Sequence, residues 1–224
     1  MPERRDPVAE ALRRGLRSMV RRGLRGVWLR GELPPDPFVW AGNHHTWWDP
    51  FVADVVLGQA GRSGCLIMLQ ANLERYGFAR RLGAFGTGEP RRGLHYLAHG
   101  RVLVIYPEGE LRPPGPLGPT AEGAAWYARR AGVPLCAVST RVLLRGHEAP
   151  EAYVSAAVVD SSGPMRTGTQ RLTAELTRQL SDADALAMNE DPRAPLPGFR
   201  LLLRGRRSHE ERIDAVSGWL RWRS

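Results

Sequence analysis

The chain has 224 residues and a formal net charge of +9, and all 32 of its basic residues are arginine. The absence of lysine excludes a Schiff base, a P-loop lysine or a lysine general base. Two cysteines, Cys65 and Cys136, can build neither a disulfide framework nor a four-thiolate zinc site, and no apolar run approaches the roughly 18 residues that span a bilayer. The length suits one domain with an appendage. The charge is concentrated at the ends: residues 1–31 carry +6, residues 198–224 carry +4, and the 166 residues between them carry −1.

The first element reads as a helix over residues 8–29. At 100° per residue, Ala9, Leu12, Leu16, Met19, Val20, Leu24 and Val27 share one broad face, and Arg14, Arg17, Arg21, Arg22 and Arg25 the other. Such a helix suits an anionic membrane surface, and equally a helix docked on the body with its arginines in water. It lacks the continuous apolar core of a secretory signal. Asp36–Ala41 reads as a strand. A helix follows from Asp49-Pro50 to about Ala60, with Asp as cap and Pro in the first turn. Gly64–Leu69 reads as a buried strand, 71–82 as a helix, and Arg91–His99 as a short helix. Arg101–Tyr106 is the most strand-like run in the chain. A Pro/Gly-rich loop at 113–119 leads to a helix over 120–131, then to strands over Val133–Thr140 and Ala152–Val159. Thr167–Ser181 is an amphipathic helix and 190–199 a Pro-rich linker. Ser208 opens a last helix, with Glu211 completing a capping box. Alternating strands and helices predict an α/β domain, with a mixed, largely parallel central sheet flanked by helices.

Two polar clusters carry the candidate chemistry. The first, Asn43-His44-His45-Thr46-Trp47-Trp48-Asp49, lies between a strand and a helix start, where open α/β sheets collect ligands. A histidine there suits a general base, and a carboxylate five residues on can fold back to hold its ring. Taken alone, the same residues also fit a helix cap, a hydrogen-bonded turn or a metal site. The second cluster, Tyr106-Pro107-Glu108-Gly109-Glu110-Leu111-Arg112, leaves the strongest strand. Gly109 permits a tight turn, Glu108 can orient an arginine or bind a hydroxyl, and Arg112 offers a fork for a phosphate or carboxylate.

In their order and in the 64-residue interval from His44 to Glu108, these clusters resemble the glycerolipid (lysophospholipid) acyltransferase family. Asn43, His44, Thr46 and Asp49 match its first motif, and Tyr106, Pro107, Glu108 and Gly109 its third. Val133-Pro134-Leu135 looks like its fourth. The resemblance covers about residues 36–160. It implies acyl transfer from acyl-CoA or an acyl-carrier protein to a hydroxyl of a lysophospholipid such as lysophosphatidate. His44 would be the base and Asp49 its orienter. Asn43, Thr46, Glu108, Gly109, Arg112, Arg91 and Arg92 would bind substrate, and backbone N–H groups of the motif loops would hold the oxyanion. It implies no metal or cofactor, and a peripheral position on the cytoplasmic face of an anionic membrane. The chain then divides into a membrane-facing helical segment (1–31), an α/β acyltransferase domain (32–189), and a linker with a basic C-terminal helix (190–224).

The sequence departs from the family at the residues expected to hold an acceptor phosphate. Glu110-Leu111 separates Glu108-Gly109 from Arg112, and arginine after Gly86-Thr87-Gly88-Glu89 appears only at Arg91 and Arg92. A non-phosphate lipid or sugar alcohol therefore stays open as acceptor. So do a thioesterase or esterase reaction and a nucleic-acid-binding module, the last opposed by the placement of the charge at the two ends.

Overall fold

Phe38 and Trp40 pack into one core while Val39 and Ala41 pack into another, the period of two that sends successive side chains to opposite faces of a sheet. Val102 and Val104 against Leu103 and Ile105 repeat the pattern, as do Cys136 and Val138 against Leu135 and Ala137. Strands buried on both faces need helices on both. The computed structural model, which describes residues 6–213, has that three-layer arrangement.

The strands among the described residues form one sheet. They are β1 (Gly26–Arg30), β2 (Val39–Gly42), β3 (Gly64–Met68), β4 (Ala84–Gly86), β5 (Val102–Ile105), β6 (Leu135–Leu143), β7 (Glu151–Val159) and β8 (Arg200–Arg204). Their spatial order is β4-β3-β5-β2-β6-β7-β1-β8. The run from β4 to β6 is parallel, β6–β7 is antiparallel, β7–β1 is parallel and β1–β8 is antiparallel. This is the expected mixed, largely parallel sheet. Helices α1 (Pro7–Gly23) and α2 (Asp49–Gln59) supply Val20, Val52, Val55 and Val56 to one core. A short helix, α3 (Gln70–Arg75), follows β3. Helices α4 (Pro90–Ala98), α5 (Gly123–Ala131) and α6 (Met165–Asn189) supply Leu97, Ala124, Ala128, Leu172 and Leu176 to the other. Each fully buried Val or Leu contributes roughly 1.5–3 kcal/mol.

The largest differences from the sequence reading are at the ends. The first helix stops at Gly23 rather than running to 29. Asp6 caps its start by accepting from the Val8 and Ala9 N–H groups. A Cβ on Gly23 would lie 2.2 Å from the Trp48 ring, so this glycine lets the helix end close on the start of α2. Val27 and Leu29 then alternate into the core as β1, between β7 and β8. Arg25 is not on a solvated helix face. Its guanidinium pairs with the buried Glu151 at 2.5 Å and with Glu211 at 3.1 Å. Residues 190–199 are not a free linker, because Leu196 and Phe199 are buried beside Tyr153, and Arg145 donates to the Asp191 and Ala194 carbonyls. The outer segments, 1–31 and 190–224, thus each contribute a strand to the domain's own sheet. The expected helix over 71–82 is divided, with α3 ending at Arg75 and a 3-10 turn following over Gly77–Leu82. The capping box is formed, with Glu211 N–H on Ser208 Oγ and Ser208 N–H on Glu211 Oε2. The rest of the expected last helix lies outside the described residues. No described helix is long and apolar enough to cross a membrane.

Candidate active site

β2 and β5 pair in parallel, with Ala41 beside Ile105, so the two loops that leave their C-terminal ends lie against each other. Asn43 extends the pairing of β2 beyond its last residue. Its side chain accepts from Thr140 N–H at 2.7 Å and donates to Thr140 O at 3.1 Å. This locks the start of the His44 loop to β6.

The loop then folds around one carboxylate. Asp49, buried, accepts at Oδ2 from the His45 N–H and Thr46 N–H, each at 2.9 Å, and at Oδ1 from the Thr46 hydroxyl at 2.7 Å. Oδ2 also takes His44 Nδ1 at 3.0 Å. Because a carboxylate only accepts, that Nδ1 carries the proton, and Nε2 keeps a free lone pair. Asp49 is the first residue of α2 and Trp48 its N-cap, so the expected capping role is not what is observed. The aspartate turns back and organises the loop before the helix. Tyr106 stacks on the imidazole of His44, with ring centroids 4.5 Å apart and planes inclined by 18°. A Cβ on Gly42 would crowd that Tyr106 ring at 3.3 Å and the Val138 carbonyl at 3.0 Å.

Glu108 joins the two loops from beneath. It is buried and accepts the His44 N–H at 2.7 Å, the Gly118 N–H at 2.9 Å and His45 Nε2 at 3.2 Å. Burial pushes its pKa up, but the hydrogen bonds from His45, His44 and Gly118 outweigh that and hold it below the usual carboxylate value. His45 is fixed in turn by Arg141, whose Nη1 lies 2.8 Å from Nδ1. Arginine can only donate, so Nδ1 accepts and the proton sits on Nε2, directed at Glu108. Arg141 also reaches the Gly115 carbonyl at 2.8 Å and grips Asp184 of α6 through two bonds of 2.8 and 2.7 Å. The chain Asp184–Arg141–His45–Glu108 therefore runs beneath the His44 loop.

Above it opens a cleft of about 460 Å³, within the range of small-molecule sites. Its walls are mostly apolar: Leu66, Ile67, Met68, Leu69, Ile105, Tyr106, Trp126 and Leu111, with His44 and Gly109 at the loops. Gly109 adopts φ of +77°, a left-handed conformation that suits glycine, and closes a turn onto the Tyr106 carbonyl at 3.0 Å.

Comparison with known proteins gives a family and a fold. The family model described as Acyltransferase matches residues 27–141, just over half of the chain. The chain belongs to the acyltransferase family. No curated protein sequence matches it. Among solved structures, the crystal structure of the 1-acyl-sn-glycerophosphate (LPA) acyltransferase PlsC from Thermotoga maritima is similar, with a TM-score of 0.62 and 16% identity, covering 83% of this chain and 84% of that one. That likeness concerns the fold.

The residues expected at the site of this acyltransferase divide into two groups. His44 and Gly109 line the cleft, and Asp49 holds His44. Asn43, Thr46 and Glu108, expected to touch substrate, are spent on internal bonds to Thr140, Asp49 and the loop amides. Arg112 donates its backbone N–H to the His44 carbonyl, and its side chain pairs with Glu110 at 2.8 Å without lining the cleft. Arg91 and Arg92 stand exposed in the first turn of α4, Arg92 bound to Glu89. Of the loop amides, those of His44, His45, Thr46, Gly109 and Arg112 donate to protein acceptors, so these five are not available to an oxyanion. Both His45 nitrogens are engaged, and no group of three His, Cys, Asp or Glu among the described residues is arranged to hold a metal. Arg141 and Asp184 gave no sequence signal, because nothing in a strand or a long helix marks which polar residue meets a partner 96 or 43 positions away.

Proposed function

We propose that this acyltransferase moves a fatty acyl group from a thioester, acyl-CoA or an acyl-carrier protein, onto a hydroxyl of a lysolipid. The observation that carries the reading is His44 at the wall of an apolar cleft, with Nδ1 bound to Asp49 and Nε2 left as a base. The acceptor hydroxyl gives its proton to Nε2 as its oxygen attacks the thioester carbonyl. The C–S bond breaks, the proton passes to the departing thiolate, and an ester and a thiol result. Asp49 keeps the ring in the required tautomer and stabilises the imidazolium that forms. The apolar walls suit a hydrocarbon chain and exclude water from the thioester.

The site works at a lipid surface in this reading. Leu69 and Leu111 line the cleft and are exposed, and Trp47 is exposed beside the His44 loop. On α1, Arg14, Arg21 and Arg22 are exposed and Leu12, Leu16 and Met19 half-buried, a pattern suited to anionic head groups at about 1 kcal/mol per arginine. Binding to anionic vesicles is expected to fall steeply between 50 and 500 mM salt, roughly as the screening length shortens. Salt-insensitive co-sedimentation would contradict the electrostatic part.

The reaction itself is tested by following thiol release from palmitoyl-CoA in vesicles, with and without a lysolipid, and identifying products by mass spectrometry. Release that requires the lysolipid and yields its acylated form is expected. Release of free fatty acid without an acceptor would make the protein a thioesterase.

A further inference from the structure

A second contact with the lipid surface lies on the segment from Leu69 to Leu82, an inference that rests on the lipid-surface reading above. The segment comprises α3 and the 3-10 turn, and it begins on the cleft wall with Leu69 and Asn72. It ends against α1, where Arg13 donates to the Leu82 carbonyl at 3.3 Å and Arg81 pairs with Asp6 at 3.3 Å. Leu73, buried, anchors it to the body. Leu69, Tyr76 and Phe78 instead stand 44%, 37% and 47% exposed, and the rings of Tyr76 and Phe78 meet edge to face at 6.4 Å. Arginines surround these rings. Arg75, Arg80 and Arg81 are exposed, and the Arg75 guanidinium lies 5.4 Å from the centre of the Tyr76 ring. Residues 70–92 hold five arginines against two glutamates, or +3, whereas the other 143 residues between the two basic ends carry −4. The positive charge of the body is gathered beside the cleft.

We propose that this segment attaches to an anionic bilayer, with Tyr76 and Phe78 entering the interface and the flanking arginines meeting lipid phosphates. Exposed aromatic rings set among arginines suit the head-group level, where the rings lie in the interface and the guanidinium groups reach the phosphates. A second copy of the chain does not suit the patch, because a symmetric pair would set +3 against +3. The contact has α1 at one end and the cleft wall at the other. It therefore turns the open cleft to the bilayer, and the chain of a lysolipid passes from the membrane directly between apolar walls.

Cys65 and Cys136 are both buried, so a cysteine placed on the surface takes a thiol-reactive, environment-sensitive fluorophore selectively. The label is attached at position 78 through Phe78→Cys, and at position 188 through Met188→Cys, since Met188 is 85% exposed near the end of α6. Each protein is mixed with phosphatidylglycerol–phosphatidylcholine vesicles whose acyl chains carry a nitroxide quencher. Quenching at position 78 and none at position 188 is expected. The double variant Tyr76→Ser, Phe78→Ser keeps every arginine and should bind the vesicles about tenfold more weakly than the wild type at the same salt. Its thiol release with a short-chain soluble acceptor, without vesicles, should equal that of the wild type. Failure of the wild type to bind vesicles, a label at 78 left unquenched, equal quenching at both positions, or undiminished binding of the double variant overturns the assignment. A label at 78 that responds to an acidic carrier protein and not to vesicles overturns it as well, and makes the segment a dock for the donor. Absence of thioester turnover in the wild type counts against the transfer reading alone, because quenching requires no reaction.

Discussion

His44→Ala is expected to lower acyl transfer by about 10²–10⁴-fold, the usual contribution of a positioned general base, while the fold stays intact. The ring makes one side-chain hydrogen bond, to Asp49, and one stack, on Tyr106. Asp49 keeps its bonds from the His45 and Thr46 amides and the Thr46 hydroxyl, so the loop retains its organiser. The stability loss should be about 1 kcal/mol. Thiol release and thermal unfolding measured on the same preparation separate the two effects. A well-folded variant with wild-type turnover would remove His44 from the role of base.

Glu108→Gln should show the opposite balance, a large loss of stability with activity falling because the loops separate. Three N–H groups converge on this carboxylate. The amide of glutamine brings its own donors to the same space, so at least one N–H loses its acceptor in a buried site. The cost is about 2–4 kcal/mol, or roughly 5–15 °C in Tm for a chain of this size. Its pH dependence carries a sign. Glu108 has a lowered pKa in the folded protein, so its stabilisation is complete above the unfolded value of about 4.3. That stabilisation is lost as pH falls through the lower folded value. The Tm difference between wild type and variant is therefore expected to be widest near pH 7 and to shrink below about pH 4. A difference that stayed constant into acid would mean that the charge of Glu108 contributes nothing. The same carboxylate explains why a glutamate expected to bind acceptor lies beneath the site. Its hydrogen bonds set the backbone of His44, and through it the ring.

Much of the fold was legible because it rests on local rules. The continuous apolar runs at residues 38–41 and 102–105 mark strands buried on both faces, and the periodicity of Leu172, Leu176 and Leu180 marks a helix. The ends were not legible. Leu24 and Val27 are three apart, a spacing that extends a helix as readily as Val27 and Leu29 begin a strand. Pairing with β7 and β8, from more than 120 residues away, decides between them. β4 has only three residues, too few to show a period, and exists because β3 offers it an edge.

At the site, the five-residue spacing before a helix start allowed the pairing of His44 with Asp49, and the family resemblance singled it out from a cap, a turn or a metal site. The sequence by itself determined which two loops matter, since each carries a polar cluster directly after a strand. Only the tertiary structure decided which way the other polar groups point. Glu108 and His45 turn into the protein because Arg141, delivered by β6 and braced by Asp184 on α6, fixes the His45 tautomer and so directs its proton to Glu108. A charge read along the chain has no direction. The direction comes from which buried partners the folded sheet places within hydrogen-bond reach, where leaving a charge unpaired costs more than any local preference can supply.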